Sequence, residues 1–158
     1  MKRITKFASL LALAGMLGGA AVDVDAAVSQ NVNTHAATCN PFNASQATLI
    51  DYFTSGVRTL AGFATPVVCA VERHPVTGPS QNFFVDGSNF GGQSTSCTLT
   101  SFTFTGTFES STSFTSNLAI YDVFQTLTSV GFFSYVSLLC TLPASGQGVL
   151  RGVTALDN

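Results

Sequence analysis

The sequence has no tryptophan, and its only lysines, Lys2 and Lys6, stand at the very start of its 158 residues. Charged residues make up 9% of the chain, too few for the clustered Lys and Arg that a nucleic-acid backbone requires. Beyond residue 26 the basic side chains are Arg58, Arg73 and Arg151, set against Asp51, Glu72, Asp86, Glu109, Asp122 and Asp157. That acidic balance argues against nucleic acid and against an anionic membrane surface as partners. Histidine is as scarce, with His35 and His74 alone. No G-x-S-x-G, C-x-x-C or H-x-x-x-H spacing occurs, so a nucleophile elbow, a redox pair and a zinc site have no basis in the sequence. No cofactor and no metal is expected.

What is present is apolar and hydroxylic. Phenylalanine occurs 14 times, and Ser, Thr, Asn and Gln fill the polar positions. The first residues, MKRITKF, carry Lys2, Arg3 and Lys6; the short apolar run ASLLALAGMLGGAAV follows, and then VDVDAAVSQ. A charged start, a short apolar middle and a small-residue site read as a secretory signal peptide and not as a membrane span. Cleavage is expected after Ala26, with Ala21 as the second candidate. Residues 27–158 then form one domain, secreted or periplasmic, with no membrane insertion after the signal is removed.

Four cysteines, Cys39, Cys69, Cys97 and Cys140, lie in that exported part. An even count in an oxidising compartment predicts two disulfides. Sequential pairing, Cys39–Cys69 and Cys97–Cys140, closes the shorter loops, and each bridge adds roughly 3–4 kcal/mol on the chain-entropy model.

Short alternating segments separated by Gly, Ser, Asn and Pro run along the chain: VVCAVER (67–73), QNFFV (81–85), a strand around Ala119–Phe124, GFFSYVSLLCTL (131–142) and VLRGVTAL (149–156). HPVTGPS (74–80), DGSNFGG (86–92) and PASGQG (143–148) read as the breaks. The pattern predicts an all-β fold, a single antiparallel β-sandwich of jelly-roll or immunoglobulin-like type, with about seven to nine strands. One stretch, 44–62, reads two ways. Leu49, Ile50, Phe53, Val57 and Leu60 form a helical stripe with Asn43 as cap, yet Thr48–Phe53 and Val57–Leu60 also read as two strands about Ser55-Gly56.

Residues 95–108, TSCTLTSFTFTGTF, carry a threonine ladder. Cys97 and Leu99 share one phase while Phe102, Phe104 and Phe108 share the other, so one uninterrupted strand cannot aim both sets at one core. Either a bulge near Thr100-Ser101 switches the phase or both faces are covered. The ladder is expected to be the wet face and the phenylalanines the dry one. A water-ordering array needs the pattern on several neighbouring strands, and only this strand carries it clearly. In 131–142, Phe132, Val136, Leu138, Cys140 and Leu142 share one face; Phe133, Tyr135 and Leu139 share the other. The second set is the candidate interaction surface.

The order of CNPFNASQ (39–46), IDYFTSGVRTL (50–60), VVCAVER (67–73), FVDG (84–87), TSCTL (95–99), YVSLLCTLP (135–143) and GVLRGVTALD (148–157) resembles a family of small secreted, uncharacterised bacterial proteins. The resemblance spans nearly all of 27–158. One departure is Ala70 after Cys69, where a Cys-Pro pair is expected. It implies export and a two-disulfide β-sandwich, favours strands over helix in 44–62, and brings no catalytic residues with it.

Functional readings follow from what remains. The carboxylates are scattered, so a hydrolase built on a pair of them is the least favoured reading, and it would need a cleft with His74 or a close carboxylate pair. Asp86-Gly87-Ser88-Asn89 offers oxygens to calcium but lacks EF-hand spacing, and a turn is the preferred reading. The leading expectation is an exported, non-catalytic sandwich that acts by binding or self-assembly, its partner a second copy or another surface protein. The alternative is a glycan-binding accessory domain, weakened by the lack of tryptophan and by tyrosines (Tyr52, Tyr121, Tyr135) that fall inside strand-like runs.

Overall fold

The computed structural model describes residues 31–73 and 80–156. The expected signal peptide, most of the Pro/Gly segment with His74, and Asp157 lie outside the described residues. Eleven strands occupy the described part: β1 (Val32–His35), β2 (Asn40–Pro41), β3 (Ile50–Phe53), β4 (Gly56–Thr59), β5 (Thr65–Val71), β6 (Asn82–Asn89), β7 (Thr95–Phe102), β8 (Phe108–Ser116), β9 (Tyr121–Thr126), β10 (Tyr135–Leu142) and β11 (Gly148–Leu156). The count passes the expected seven to nine because β1 and β2 form in an N-terminal stretch whose polar composition hides them.

Two antiparallel sheets face each other. One has the order β3-β4-β11-β6-β9, with β1 also paired to β11; the other has the order β2-β5-β10-β7-β8. From β4 onward the pairs are nested: β7 with β8, β6 with β9, β5 with β10 and β4 with β11. The chain is a doubled ribbon rolled into a sandwich, which selects the jelly roll from the two expected topologies. Burial follows the two-residue period. In β5, Thr65, Val67, Cys69 and Val71 point inward and Pro66, Val68 and Ala70 outward. Val67, Leu99, Leu138 and Leu142 meet Phe83, Val85, Leu150 and Val153 across the layer to form the core.

Both disulfides lie within the second sheet. Cys97 on β7 is the register partner of Cys140 on β10, and Cys39 just before β2 bonds Cys69 on β5. In each the Cα atoms are 4.1 Å apart, and all four cysteines are buried. The sheets are tied to each other by packing and by polar contacts such as the Glu72 amide donating to Thr34 Oγ1 at 2.8 Å.

Several local expectations change. Residues 44–62 are a 3-10 turn (Ala44–Leu49) followed by the β3–β4 hairpin, so the helical stripe dissolves: Ile50 and Val57 are buried, and Leu60 is exposed. Gly56, at φ 147°, lies so close to β11 that an added Cβ would sit 2.1 Å from the Leu150 carbonyl oxygen. The DGSN turn is instead part of strand β6. Its Gly87 is required because the Tyr121 ring lies over it: a Cβ there would fall 2.1 Å from that ring.

The phenylalanines of 102–108 do not form the dry face. Cys97, Leu99 and Ser101 point inward, while Phe104 and Phe108 are exposed and Phe102 packs edge-to-face on Phe108 with centroids 6.4 Å apart. The register slips between Ser101 and Phe102, which makes Glu109 on β8 the extra residue. The upper threonines are not a strand either, since Thr103–Thr107 form a turn closed by the Thr103 amide on the Thr107 carbonyl at 2.8 Å. Phe132, grouped from sequence on one face with Val136, Leu138, Cys140 and Leu142, stands half-exposed in the turn before β10 while those four are buried.

Candidate functional site

An open hollow lies at one end of the disulfide-bonded sheet. It measures about 630 Å³ and is walled by Phe104 from the β7–β8 turn, Phe132 and Phe133 from the turn before β10, Tyr135 at the start of β10, and Val71 and Arg73 after β5. Phe104, Phe133 and Tyr135 are 70%, 71% and 66% exposed, far more than buried apolar packing allows. Phe132 and Phe133 stack edge-to-face at 5.1 Å. A smaller hollow of about 220 Å³ shares Phe104, Phe132 and Phe133 and adds Thr103, Glu109 and Gly131.

Local geometry explains why these groups gather. The bulge in β8 places Glu109 beneath the turn before β10, where its two oxygens accept from the Gly131 amide at 3.2 and 3.4 Å. Gly131 sits under these side chains: a Cβ there would fall 2.6 Å from Ser134 Oγ and 2.9 Å from Glu109 Oε1. Ser101 and Ser110 anchor the same turn, donating to the Ser129 carbonyl at 2.7 and 2.5 Å. Arg73 donates to the Ser134 carbonyl. Burial holds its guanidinium below the usual range, and the nearby Glu109 charge acts the other way. The result is a cleft with four aromatic rings, a five-donor cation and a carboxylate fixed by backbone N–H. It can stack the C–H faces of a ligand on rings and hydrogen-bond its hydroxyls.

Of the surface expected from sequence, Phe133 and Tyr135 stand together on this cleft. Leu139 does not reach it: it lies farther along β10, half-buried on the sheet's outer face, register partner to Thr98 and Val68. Arg73, Glu109 and Phe104 were missed, because the strand end, bulge and turn that bring them together come from separate parts of the chain.

Next to the cleft, the outer face of the same sheet is a grid. One row runs Pro66, Thr141, Ser96, Thr115 across β5, β10, β7 and β8; the next runs Val68, Leu139, Thr98, Ser113; the third runs Ala70, Ser137, Thr100, Ser111. Ser96 pairs with Thr115, and Thr98 with Ser113, each at 2.8 Å. The hydroxyl pattern read on one strand is thus repeated on β8 and, apart from Leu139, on β10.

The other candidates resolve as structure. His35 Nδ1 accepts from the Ala37 amide at 3.1 Å and caps a turn. Asn89 is buried, donating to the Ser116 carbonyl at 2.9 Å and accepting from Thr95 Oγ1 at 2.7 Å; Ser88 is buried too, so the DGSN oxygens do not converge on a cation. Among the described residues, no group of three or more His, Cys, Asp or Glu is placed to hold a metal ion.

One carboxylate pair does meet. Asp86 on β6 and Asp122 on β9 are register partners on the outer face of the six-stranded sheet. Burial, the Asp122 charge and a hydrogen bond with Asp122 raise the Asp86 pKa, and Arg151 opposes the rise. Of the two, Asp86 borders a hollow of about 190 Å³. Beneath them Tyr121 is buried, which, together with the Asp86 charge, pushes its phenol up to about 12.

No protein-family model matches the sequence, and no curated protein does. Solved structures do. The CBM36-1 domain of a multidomain xylanase from the hindgut metagenome of Trinervitermes trinervoides aligns with a TM-score of 0.53 at 11% identity, covering 79% of this chain and 95% of that one. TmCBM61, solved with β-1,4-galactotriose, aligns with a TM-score of 0.44 at 9% identity, covering 82% and 88%. At this identity the first likeness shows the fold alone, a β-sandwich.

Proposed function

We propose that this protein is an exported, non-catalytic binding domain whose ligand is a glycan, held in the aromatic cleft of Phe104, Phe132, Phe133 and Tyr135. The observation that carries the reading is the cleft: exposed rings, set by a bulge and a hydrogen-bonded turn, around one guanidinium, with one carboxylate in the adjoining hollow. Sugars offer this combination its complement, an apolar C–H face and a rim of hydroxyls. Sharing a fold with a carbohydrate-binding module supports the reading. Clustered Phe and Tyr supply in the cleft the ring faces that the missing tryptophan would otherwise offer. Two buried disulfides fit an oxidising compartment, which supports the signal peptide at 1–26 and a secreted or periplasmic location for 27–158.

The test is calorimetric titration of residues 27–158 with neutral and acidic oligosaccharides. A saturable response that Tyr135→Ala and Phe133→Ala each weaken about tenfold, roughly 1.4 kcal/mol per ring, supports the cleft. A saturable response untouched by both substitutions moves the site elsewhere. The same exposed rings favour a second reading, self-assembly through this end of the sheet. Mass that rises with concentration, and falls in Phe133→Ala, would select it.

A further inference from the structure

The geometry points to an extended, uncharged polysaccharide chain as the ligand, lying across the outer face of the five-stranded sheet with one end in the aromatic cleft. This inference rests on the glycan reading and adds the polymer and the surface it follows.

The three rows of that face hold eight hydroxyl side chains on β10, β7 and β8 and apolar side chains on β5, with no ionisable group in any row. At about 4.8 Å between strands and about 6.8 Å between alternate residues, the four strands and three rows cover roughly 14 Å each way. That is too wide for a single sugar and suited to a run of them. The fourth row is Tyr135 beside Phe102, with Phe108 beyond, so the grid runs into the aromatic cleft without a break. A protein partner would find few anchors here, since Ser and Thr are depleted from interface cores and rarely act as hot spots. An acidic polymer would find no cation on the grid. A neutral polysaccharide finds donors, acceptors and methyl groups at regular intervals. Two cross-strand hydroxyl pairs are already ordered, which lowers the cost of binding.

Two probes separate this inference from the reading beneath it. Xylotriose and cellotriose test the cleft; insoluble xylan, cellulose and polygalacturonate test the grid. The variants are Thr98→Arg with Ser113→Arg, which charge the grid, and Thr98→Val with Ser113→Ala, which keep its shape. Melting temperature checks that each folds. The expected result is retention on a neutral polymer at least tenfold tighter than trisaccharide binding, lost tenfold in the arginine variant and several-fold in the shape-conserving one. Trisaccharide affinity stays unchanged in both, and polygalacturonate is not retained. Polymer binding no tighter than trisaccharide binding, or indifferent to both variants, overturns the inference and leaves the cleft standing. Binding of neither probe overturns both. Ice shaping by the wild type without polymer retention also overturns the inference, and assigns the grid to ordered water.

Discussion

The two outer faces of the sandwich are built from different chemistry. The outer face of the six-stranded sheet carries charge: Asp51 paired with Arg58 at 2.7 Å, the register partners Asp86 and Asp122, and Arg151, whereas Arg73 and Glu109 stand at the cleft end of the five-stranded sheet. The six-stranded sheet contains no disulfide. The five-stranded sheet holds both disulfides, and its outer rows carry hydroxyls and aliphatic groups without charge. The outer rows of the five-stranded sheet are thus free of the desolvation cost that burying charge against a ligand would bring. On the proposed reading the stapled sheet is the one that meets the ligand, and a rigid surface loses less entropy on binding.

The comparison breaks first at the staples. Replacing Cys97 and Cys140 with serine should cost about 4 kcal/mol on the chain-entropy model. Hydrogen exchange should then show β7 and β10 opening ahead of β6 and β11; uniform loss of protection would mean the two sheets are one cooperative unit. In the charged sheet the matching weak point is Gly87, under the Tyr121 ring. Gly87→Ala should cost about 3 kcal/mol by overpacking, read as a fall in the denaturant midpoint. A loss under about 1 kcal/mol would mean the ring swings aside freely.

The carboxylate pair sharpens the contrast more gently. Because the folded protein raises the Asp86 pKa, the contribution of this group to stability is present below the unfolded carboxylate range and is lost as pH rises through the folded value. Asp122→Asn should therefore stabilise at pH 7 by about 0.5 kcal/mol, a typical cost for like charges placed opposite one another. The gain should vanish as pH falls through the carboxylate range. A gain that persists at low pH would assign the effect to something other than charge. The smallest effect is expected at the cleft. Tyr135→Ala should change stability by less than about 0.5 kcal/mol while weakening the glycan about tenfold, since the ring is exposed and packs little. A large stability loss would make Tyr135 part of the fold's support.

Much of the fold was legible in the sequence. The alternation in Thr65–Val71 and Tyr135–Leu142 is that of strands with one wet face, and the strict two-residue period states which side chains turn inward. Composition stated the scarcity of charge and the abundance of hydroxyls. The errors fell where the local pattern is the same for two outcomes. Asp86-Gly87 reads as a turn because both residues favour turns; only the Tyr121 ring, arriving from β9, makes that glycine a strand residue. Phe102, Phe104 and Phe108 read as core because they are large and apolar, yet the inward phase belongs to Cys97, Leu99 and Ser101, and Ser101 is satisfied there by the Ser129 carbonyl.

The sequence by itself determined the class of fold and its chemistry: short alternating segments, an even set of cysteines, few charges and many hydroxyls. Those properties are local or compositional, so no partner strand is needed to read them. The tertiary structure alone decided which strands became neighbours. Pairing in a rolled ribbon is set by contacts between distant residues. It is this pairing that sets hydroxyls from β10, β7 and β8 side by side, and that brings Arg73, Phe104, Glu109 and Phe133 to one end of the sheet.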